Sequence, residues 1–227
     1  MLAYQDGDTS AVVQVYSDIA IDDIIPARYL FRTYEDMPAW EQLALQYCQG
    51  HTIDIGAGAG GHALWLQEQG KPVTAVDISP GAVTVMQQRG LKNTLHADFR
   101  DLPLADYDTW LLLMNGIGLV GDLIGLNSFL ELAQTQLPPH GQILLDSSDI
   151  MYLYESEGIE LPLADGRYHG IIGYQMSYES AQGEPFPWLY LDFPKLNHHA
   201  KHFGFSCELL MEGPHYEYLA RLTLDTV

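Results

Sequence analysis

Thr52-Ile-Asp-Ile-Gly-Ala-Gly-Ala-Gly-Gly61 decides the fold. A short apolar strand runs into glycines at 56, 58, 60 and 61 and then into an amphipathic helix. A second strand, inside Thr74-Ala-Val-Asp-Ile-Ser-Pro80, ends on Asp77. A doubly wound α/β sheet holds a nucleoside with this pattern: small residues admit the ligand to the backbone, and the acid receives ribose hydroxyls. Working outward, strands are predicted at about 51–55, 72–77, 93–96, 107–113 and 141–146. They alternate with helices at about 60–69, 80–88 and 122–136, which gives a parallel sheet with helices on both faces.

Glycine spacing alone leaves two nucleoside ligands open. Gly56, Gly58 and Gly61 satisfy G-x-G-x-x-G, so a dinucleotide-dependent dehydrogenase has to be weighed. Asp54 argues against it, because a carboxylate at the strand end would face a pyrophosphate across a tight crevice. An acid there suits an ammonium instead. S-adenosylmethionine joins an adenosine ribose to such an ammonium, and it is the preferred ligand.

The chain resembles the class I S-adenosylmethionine-dependent methyltransferases, whose signature acid-x-Gly-x-Gly-x-Gly reads here as Asp54-Ile-Gly-Ala-Gly-Ala-Gly60. The similarity continues in order through Ala75–Pro80, Ala97-Asp98-Phe99, Tyr107–Asn115 and Leu137–Asp146, and so spans roughly residues 50 to 150. The resemblance implies a seven-stranded, mostly parallel sheet in the order 3-2-1-4-5-7-6 and direct in-line methyl transfer. It implies that Asp54, Gly56, Gly58 and Gly60 surround the amino-acid end of the cofactor. Asp77 would take the ribose hydroxyls with Ile78 beside the adenine, and Asp98 and Phe99 would contact the adenine. Asn115 would lie near the transferred methyl. The chain departs from the family where Met114-Asn-Gly-Ile-Gly118 replaces the Asn-Pro-Pro-Tyr-like run used for amino groups on bases or glutamine. Asn115 is equally readable as a residue that turns the chain before Gly116.

Composition bounds the partners. Thirty acids against ten bases give a formal charge of −20, so few cations are available to cluster on a phosphate backbone or an anionic lipid. A small-molecule acceptor is expected, with neither nucleic acid nor membrane as partner. Cys48 and Cys207 have no CxxC partner, and no basic region followed by an apolar core opens the chain. Reduced thiols and a cytoplasmic setting follow as expectations. A non-catalytic S-adenosylmethionine-binding sensor or partner subunit, and a protein methyltransferase, stay open as alternatives.

Outside the sheet, one domain over 1–227 is expected. Residues 4–20 read as a loose arm, and Met37–Cys48 as a helix begun by Asp36 and Pro38. Residues 147–167 read as a loop with Gly158, Pro162 and Gly166. An inserted β-hairpin is expected at about 168–191, a helix at 194–203, and a strand pair at 206–212 and 216–223.

Substrate-side candidates are Arg28, Arg32 and Tyr34. If helical, the two arginines share a face and can hold a carboxylate, or they can pair with acids such as Glu35 and Asp36. Asp146 ends the fifth strand where a base could sit; together with Asn115 it is a catalytic candidate. Tyr168, Tyr174, Tyr178, Trp188 and Tyr190 either line an apolar pocket or pack as strand residues. His198 and His202 fall on one helical face, but no third ligand stands at a companion spacing, so no metal is expected.

Overall fold

The computed structural model describes residues 1–19, 22–157 and 167–225. The chain begins with α1 (Leu2–Gln5), β1 (Val12–Ser17), β2 (Asp23–Pro26), 3-10 turns at Ala27–Phe31 and Tyr34–Asp36, and α2 (Ala39–Tyr47). Alternation then sets in with β3 (Thr52–Ile55), α3 (Gly61–Glu68), β4 (Val73–Asp77), α4 (Pro80–Gln88) and β5 (Thr94–His96). It continues through β6 (Thr109–Leu112), α5 (Leu123–Gln136), β7 (Gln142–Ser148) and α6 (Met151–Glu157). Three strands follow, β8 (Ile171–Tyr178), β9 (Ala181–Gln182) and β10 (Phe186–Leu189). The described chain closes with α7 (Phe193–His202), β11 (Phe205–Glu212) and β12 (Glu217–Leu224).

Seven strands form one sheet in the order β11-β12-β7-β6-β3-β4-β5, with β12 antiparallel to both its neighbours. Counted along the chain within this sheet and read from β5, the order is 3-2-1-4-5-7-6. Every residue of β3 and β6 is buried, because helices cover both faces. Successive side chains alternate between two layers. Ile53, Ile55, Trp110 and Leu112 pack on Leu126, Phe129 and Leu130 of α5, while Leu111, Leu113 and Leu144 pack on Leu45, Leu66 and Met86. Local signals set the helix starts. The Ser79 hydroxyl accepts the Ala82 N–H at 3.3 Å ahead of Pro80, and Asp122 accepts the Gly125 N–H at 2.7 Å.

The N-terminal arm is not loose. β1 pairs antiparallel with β2 and with β8, and β8 also pairs with β9 and β10, so arm and inserted hairpin together make a second, five-stranded sheet. The pairing Gln14↔Ser177 joins segments far apart in sequence, and no local period announces it. The loop expected over 147–167 is also corrected in part: β7 runs on to Ser148 and α6 follows. Ile150 and Tyr154 of that stretch are buried with Leu153 beside them, a helical stripe masked by neighbouring acids. Gly158, Pro162 and Gly166 lie outside the described residues.

Arg28 and Arg32 do not share a face. A 3-10 turn advances three residues per turn and ends at Phe31, which leaves Arg28 exposed and turns Arg32 inward. Cys48 and Cys207 are free thiols. Among the described residues no helix is long and apolar enough to cross a membrane.

Candidate active site

The C-terminal ends of β3, β4 and β6 meet at one edge of the large sheet, the crevice where such sheets bind ligands. After β3 the backbone turns through Gly56, Gly58 and Gly60 at φ +73, +57 and +79, a region costly for residues with a Cβ. At Gly58 the space a Cβ would enter is open, and its N–H donates to Asp77 Oδ2 at 2.9 Å. Asp77 Oδ1 accepts the Ser79 N–H at 2.8 Å, so one carboxylate holds both the glycine turn and the start of α4. Gly60 faces elsewhere: it caps α3, and its Cβ position abuts Met86.

Two clefts flank this turn. One, of about 180 Å³, is lined by Asp54, Gly56, Gly58, His62, Arg32 and Met114 among others. The other, of about 370 Å³, is lined by Gly58, Asp77, Ile78, Asp98, Phe99 and Arg100 among others. Ile78 is 66 % exposed there, while Phe99 is 8 % exposed and meets Phe129 edge-on. Asp98 accepts from Arg100 Nε at 2.8 Å, and that bond holds its carboxyl below the usual range.

A third chamber, of about 390 Å³, lies between the two sheets. Tyr174, Phe186, Trp188 and Tyr190 of the second sheet and its flank form one wall, with Met114 and Asn115 from the end of β6. Trp188 borders this chamber and both clefts, packed so closely on Gly118 that a Cβ there would collide with the indole. Tyr168 is engaged otherwise: its hydroxyl donates to Asp192 Oδ2 at 2.6 Å.

Asn115 lines the chamber rather than either cleft. Met114 and Asn115 sit at φ +61 and +55, two successive left-handed residues held by a dense set of bonds. Asn115 Nδ2 donates to the Leu189 carbonyl at 3.1 Å, Oδ1 accepts from Ser147 Oγ at 2.6 Å, and the backbone N–H donates to Asp146 Oδ1 at 2.7 Å. Asn115 therefore ties the second sheet to the first as well as turning the chain. Asp146 is corrected as a candidate base. It is 5 % exposed, its second oxygen accepts from Trp40 Nε1 at 3.1 Å, and it lines none of the three cavities.

The substrate-side candidates separate. Tyr34 stacks on Trp65 with centroids 4.5 Å apart, accepts from Gln46, and lines none of the three cavities. Arg28 is exposed and lines none of the three cavities. Arg32 lines the Asp54 cleft, lies over the Tyr29 ring at 4.1 Å, and donates through Nη2 to both Glu41 oxygens at 3.0 and 3.1 Å. Its partner is this buried glutamate, not Glu35 or Asp36.

Glu41 also bonds His62 Nε2 at 2.8 Å, and neither Glu41 nor His62 stood out in the sequence. A signal existed: Glu41 occupies the buried stripe of α2 with Ala44 and Leu45, where a charge requires a partner. Burial alone would raise the Glu41 carboxyl, but His62 and Arg32 outweigh it and hold it below its usual range. His62, despite burial, is raised by Glu41, Asp54 and Asp146. Burial pushes Asp54 up to about 6 and, with the Glu41 charge added, Asp146 up to about 7. One Asp54 oxygen, Oδ2, is buried without a hydrogen-bond partner.

These groups fix a sign for pH. Asp54, Asp146 and His62 all hold protons more tightly in the fold than in an unfolded chain, so the folded state gains on acidification between about pH 7 and 4. Glu41 opposes this only as its own lowered range is approached. The expected Tm at pH 5.5 exceeds that at pH 8 by about 4 °C or more, read by calorimetry. A Tm that falls on that acidification contradicts the buried cluster as described.

On the far side, His198, His199 and His202 lie on α7, and His199 Nδ1 meets Asn127 Oδ1 at 2.7 Å. Among the described residues no three metal-ligating side chains group together.

A profile of the family described as "Methyltransferase domain" matches residues 53–114. A crystal structure of a SAM-dependent methyltransferase from Bacteroides fragilis, in complex with S-adenosyl-L-homocysteine, is 41% identical to the chain with a TM-score of 0.88. The match covers 99% of this chain and 92% of that one. The PH0226 protein from Pyrococcus horikoshii OT3 matches with a TM-score of 0.62 at 18% identity, over 92% of this chain and 95% of that one. The CcbJ methyltransferase from Streptomyces caelestis matches with a TM-score of 0.59 at 13% identity, over 85% and 95%. The last two show likeness of fold alone. No curated protein matches the chain.

Proposed function

The chain belongs to the S-adenosylmethionine-dependent methyltransferases, and from that premise we propose that the two clefts hold S-adenosylmethionine and the chamber beyond Trp188 accepts a small molecule. The clefts fit the cofactor. The unpartnered Asp54 oxygen suits an ammonium, and Arg32 suits the carboxylate of the same amino-acid group. Open space at Gly58 lets a ligand approach the backbone, and Asp77 keeps lone pairs for ribose hydroxyls. Ile78 and Phe99 offer apolar surface to an adenine.

When bound, S-adenosylmethionine supplies a methyl carbon activated by a positive sulfur. What remains for the protein is orientation and exclusion of water. Trp188 and Met114 stand between cofactor cleft and chamber, and the chamber wall is largely apolar. The observation that supports a small acceptor is this chamber of about 390 Å³ walled by a second sheet, a size for a small molecule. The scarcity of bases in the chain speaks against nucleic acid and anionic membrane, and the free thiols support a cytoplasmic setting.

Formation of S-adenosyl-L-homocysteine with a panel of small acceptors, set beside a panel of basic peptides, tests this reading. Turnover with small acceptors alone is expected, falling at least tenfold in Tyr190→Ala. Turnover with peptides alone contradicts it.

Cofactor binding also acquires a pH dependence. An ammonium needs the Asp54 carboxylate charged, and that group titrates at about 6 in the free protein. Affinity for S-adenosyl-L-homocysteine, which carries the same ammonium, is therefore expected to fall about tenfold per pH unit below 6 and to level off above 7. Titrations at pH 8, 6 and 5 check this; equal affinity at all three contradicts the pairing of Asp54 with the ammonium.

A further inference from the structure

We propose that the acceptor in the chamber is an amine, cationic before and after methylation, carried on an apolar or aromatic body. This inference rests on the small-molecule reading above and narrows it by charge. None of the ten Lys and Arg residues lines the chamber, and no His does. The residues outside the described ones, 20–21, 158–166 and 226–227, contain no Lys, Arg or His that could add a cation. An anionic acceptor would lose its hydration there with no countercharge.

A cation finds partners. Asp23 is the only charged residue on the chamber lining among the described residues; it is exposed, and its Oδ1 accepts the Ile24 N–H at 2.7 Å. Four aromatic rings line the same space in sequence along the wall. Tyr174 and Tyr190 hydroxyls lie 3.2 Å apart, Tyr174 and Phe186 centroids 6.4 Å, and Phe186 and Trp188 centroids 6.2 Å with the rings edge-to-face. A cluster of rings on the wall of a cavity attracts an ammonium, most strongly once it is desolvated. The surplus of acids over the whole chain raises the local concentration of such a ligand before it arrives.

The chemistry agrees with the lining. A hydroxyl acceptor must lose its proton to a base as the new bond forms, and Asp146 does not line the chamber. An amine needs none at the moment of transfer. Its ammonium first gives up one proton to bulk water. The nitrogen lone pair then forms the N–C bond as the C–S bond breaks, and the electron pair of that bond stays on sulfur. Positive charge passes from sulfur to nitrogen, so it grows toward the aromatic wall during the step. A wall that stabilises charge developing on the acceptor lowers the barrier, beyond tightening binding.

Calorimetric titration of the full chain saturated with S-adenosyl-L-homocysteine tests the inference with three probes of similar body. They are benzyltrimethylammonium, benzyl alcohol and phenylacetate. The cation is expected to bind at one site per chain, at least tenfold tighter than the alcohol, with phenylacetate weakest. Phe186→Leu and Asp23→Asn are each expected to weaken the cation at least fivefold while affinity for S-adenosyl-L-homocysteine holds, which shows the variants are folded. If the alcohol or phenylacetate binds as tightly as the cation or tighter, the chamber takes small molecules but the amine inference is overturned. If none of the three binds, the small-molecule reading itself fails and the inference with it. If the cation binds equally to both variants and to the unmodified chain, its placement against this wall is overturned.

Discussion

Glu41→Ala is expected to cost about 3–5 kcal/mol of folding stability, measured by urea denaturation at pH 7.5. The carboxylate is the common partner of Arg32 Nη2 at 3.0 Å and His62 Nε2 at 2.8 Å, and its side chain is 3 % exposed. Truncation strands two buried groups in their charged geometry with Asp54 and Asp146 still nearby. Such a loss is about a fifth or more of the roughly 5–15 kcal/mol net stability of an ordinary domain. Replacing both members, Arg32→Met with Glu41→Leu, removes the buried charges together and is expected to be milder than Glu41→Ala alone. Exposed Glu35→Ala serves as the control and is expected to stay within about 0.5 kcal/mol. A loss below about 1 kcal/mol for Glu41→Ala contradicts the view that this carboxylate holds Arg32 and His62 beside the Asp54 cleft.

Asp77→Ala carries the second large effect, on affinity rather than stability. Its two oxygens accept the Gly58 and Ser79 N–H groups at 2.9 and 2.8 Å. Removing them frees the glycine turn and takes away the acceptor proposed for the ribose hydroxyls. Bonds to an ionised acceptor contribute about 1.5–3 kcal/mol each, so with two ribose hydroxyls S-adenosyl-L-homocysteine affinity is expected to fall about 100-fold or more. Asp77→Asn is expected to recover little, since its amide would set a donor against one of two N–H donors. Circular dichroism confirms folding of both variants, and affinity within threefold of the unmodified chain contradicts the role.

The large sheet was legible because its cues are local. Thr52–Gly61, Ser79-Pro80 and Asp122 each place an element boundary by chemistry within a few residues, and β3, β4, α4 and α5 fall within two residues of their expected spans. The second sheet was legible only in part. Its hairpin has turn residues around Gly183 and Pro185, whereas β1 gains its place from β8 across most of the chain. The candidate site divides the same way. Asp54, Gly56, Gly58, Asp77, Ile78, Asp98 and Phe99 come together along the two clefts because one contiguous motif and two strand ends place them. Asn115 and Asp146, expected as reacting groups, are instead tied to each other and to Leu189, Ser147 and Trp40 by bonds no spacing reveals. Trp188, common to all three cavities, reads in sequence only as one aromatic among several.

The most direct test of the division between cofactor clefts and acceptor chamber is a crystal structure of the full chain with S-adenosyl-L-homocysteine. The expected result puts the ammonium at Asp54, the ribose at Asp77, the adenine between Ile78 and Phe99, and the sulfur on the Trp188 side toward the chamber. Adenine seated among Tyr174, Phe186 and Tyr190 would contradict the division and reverse the roles of the two halves.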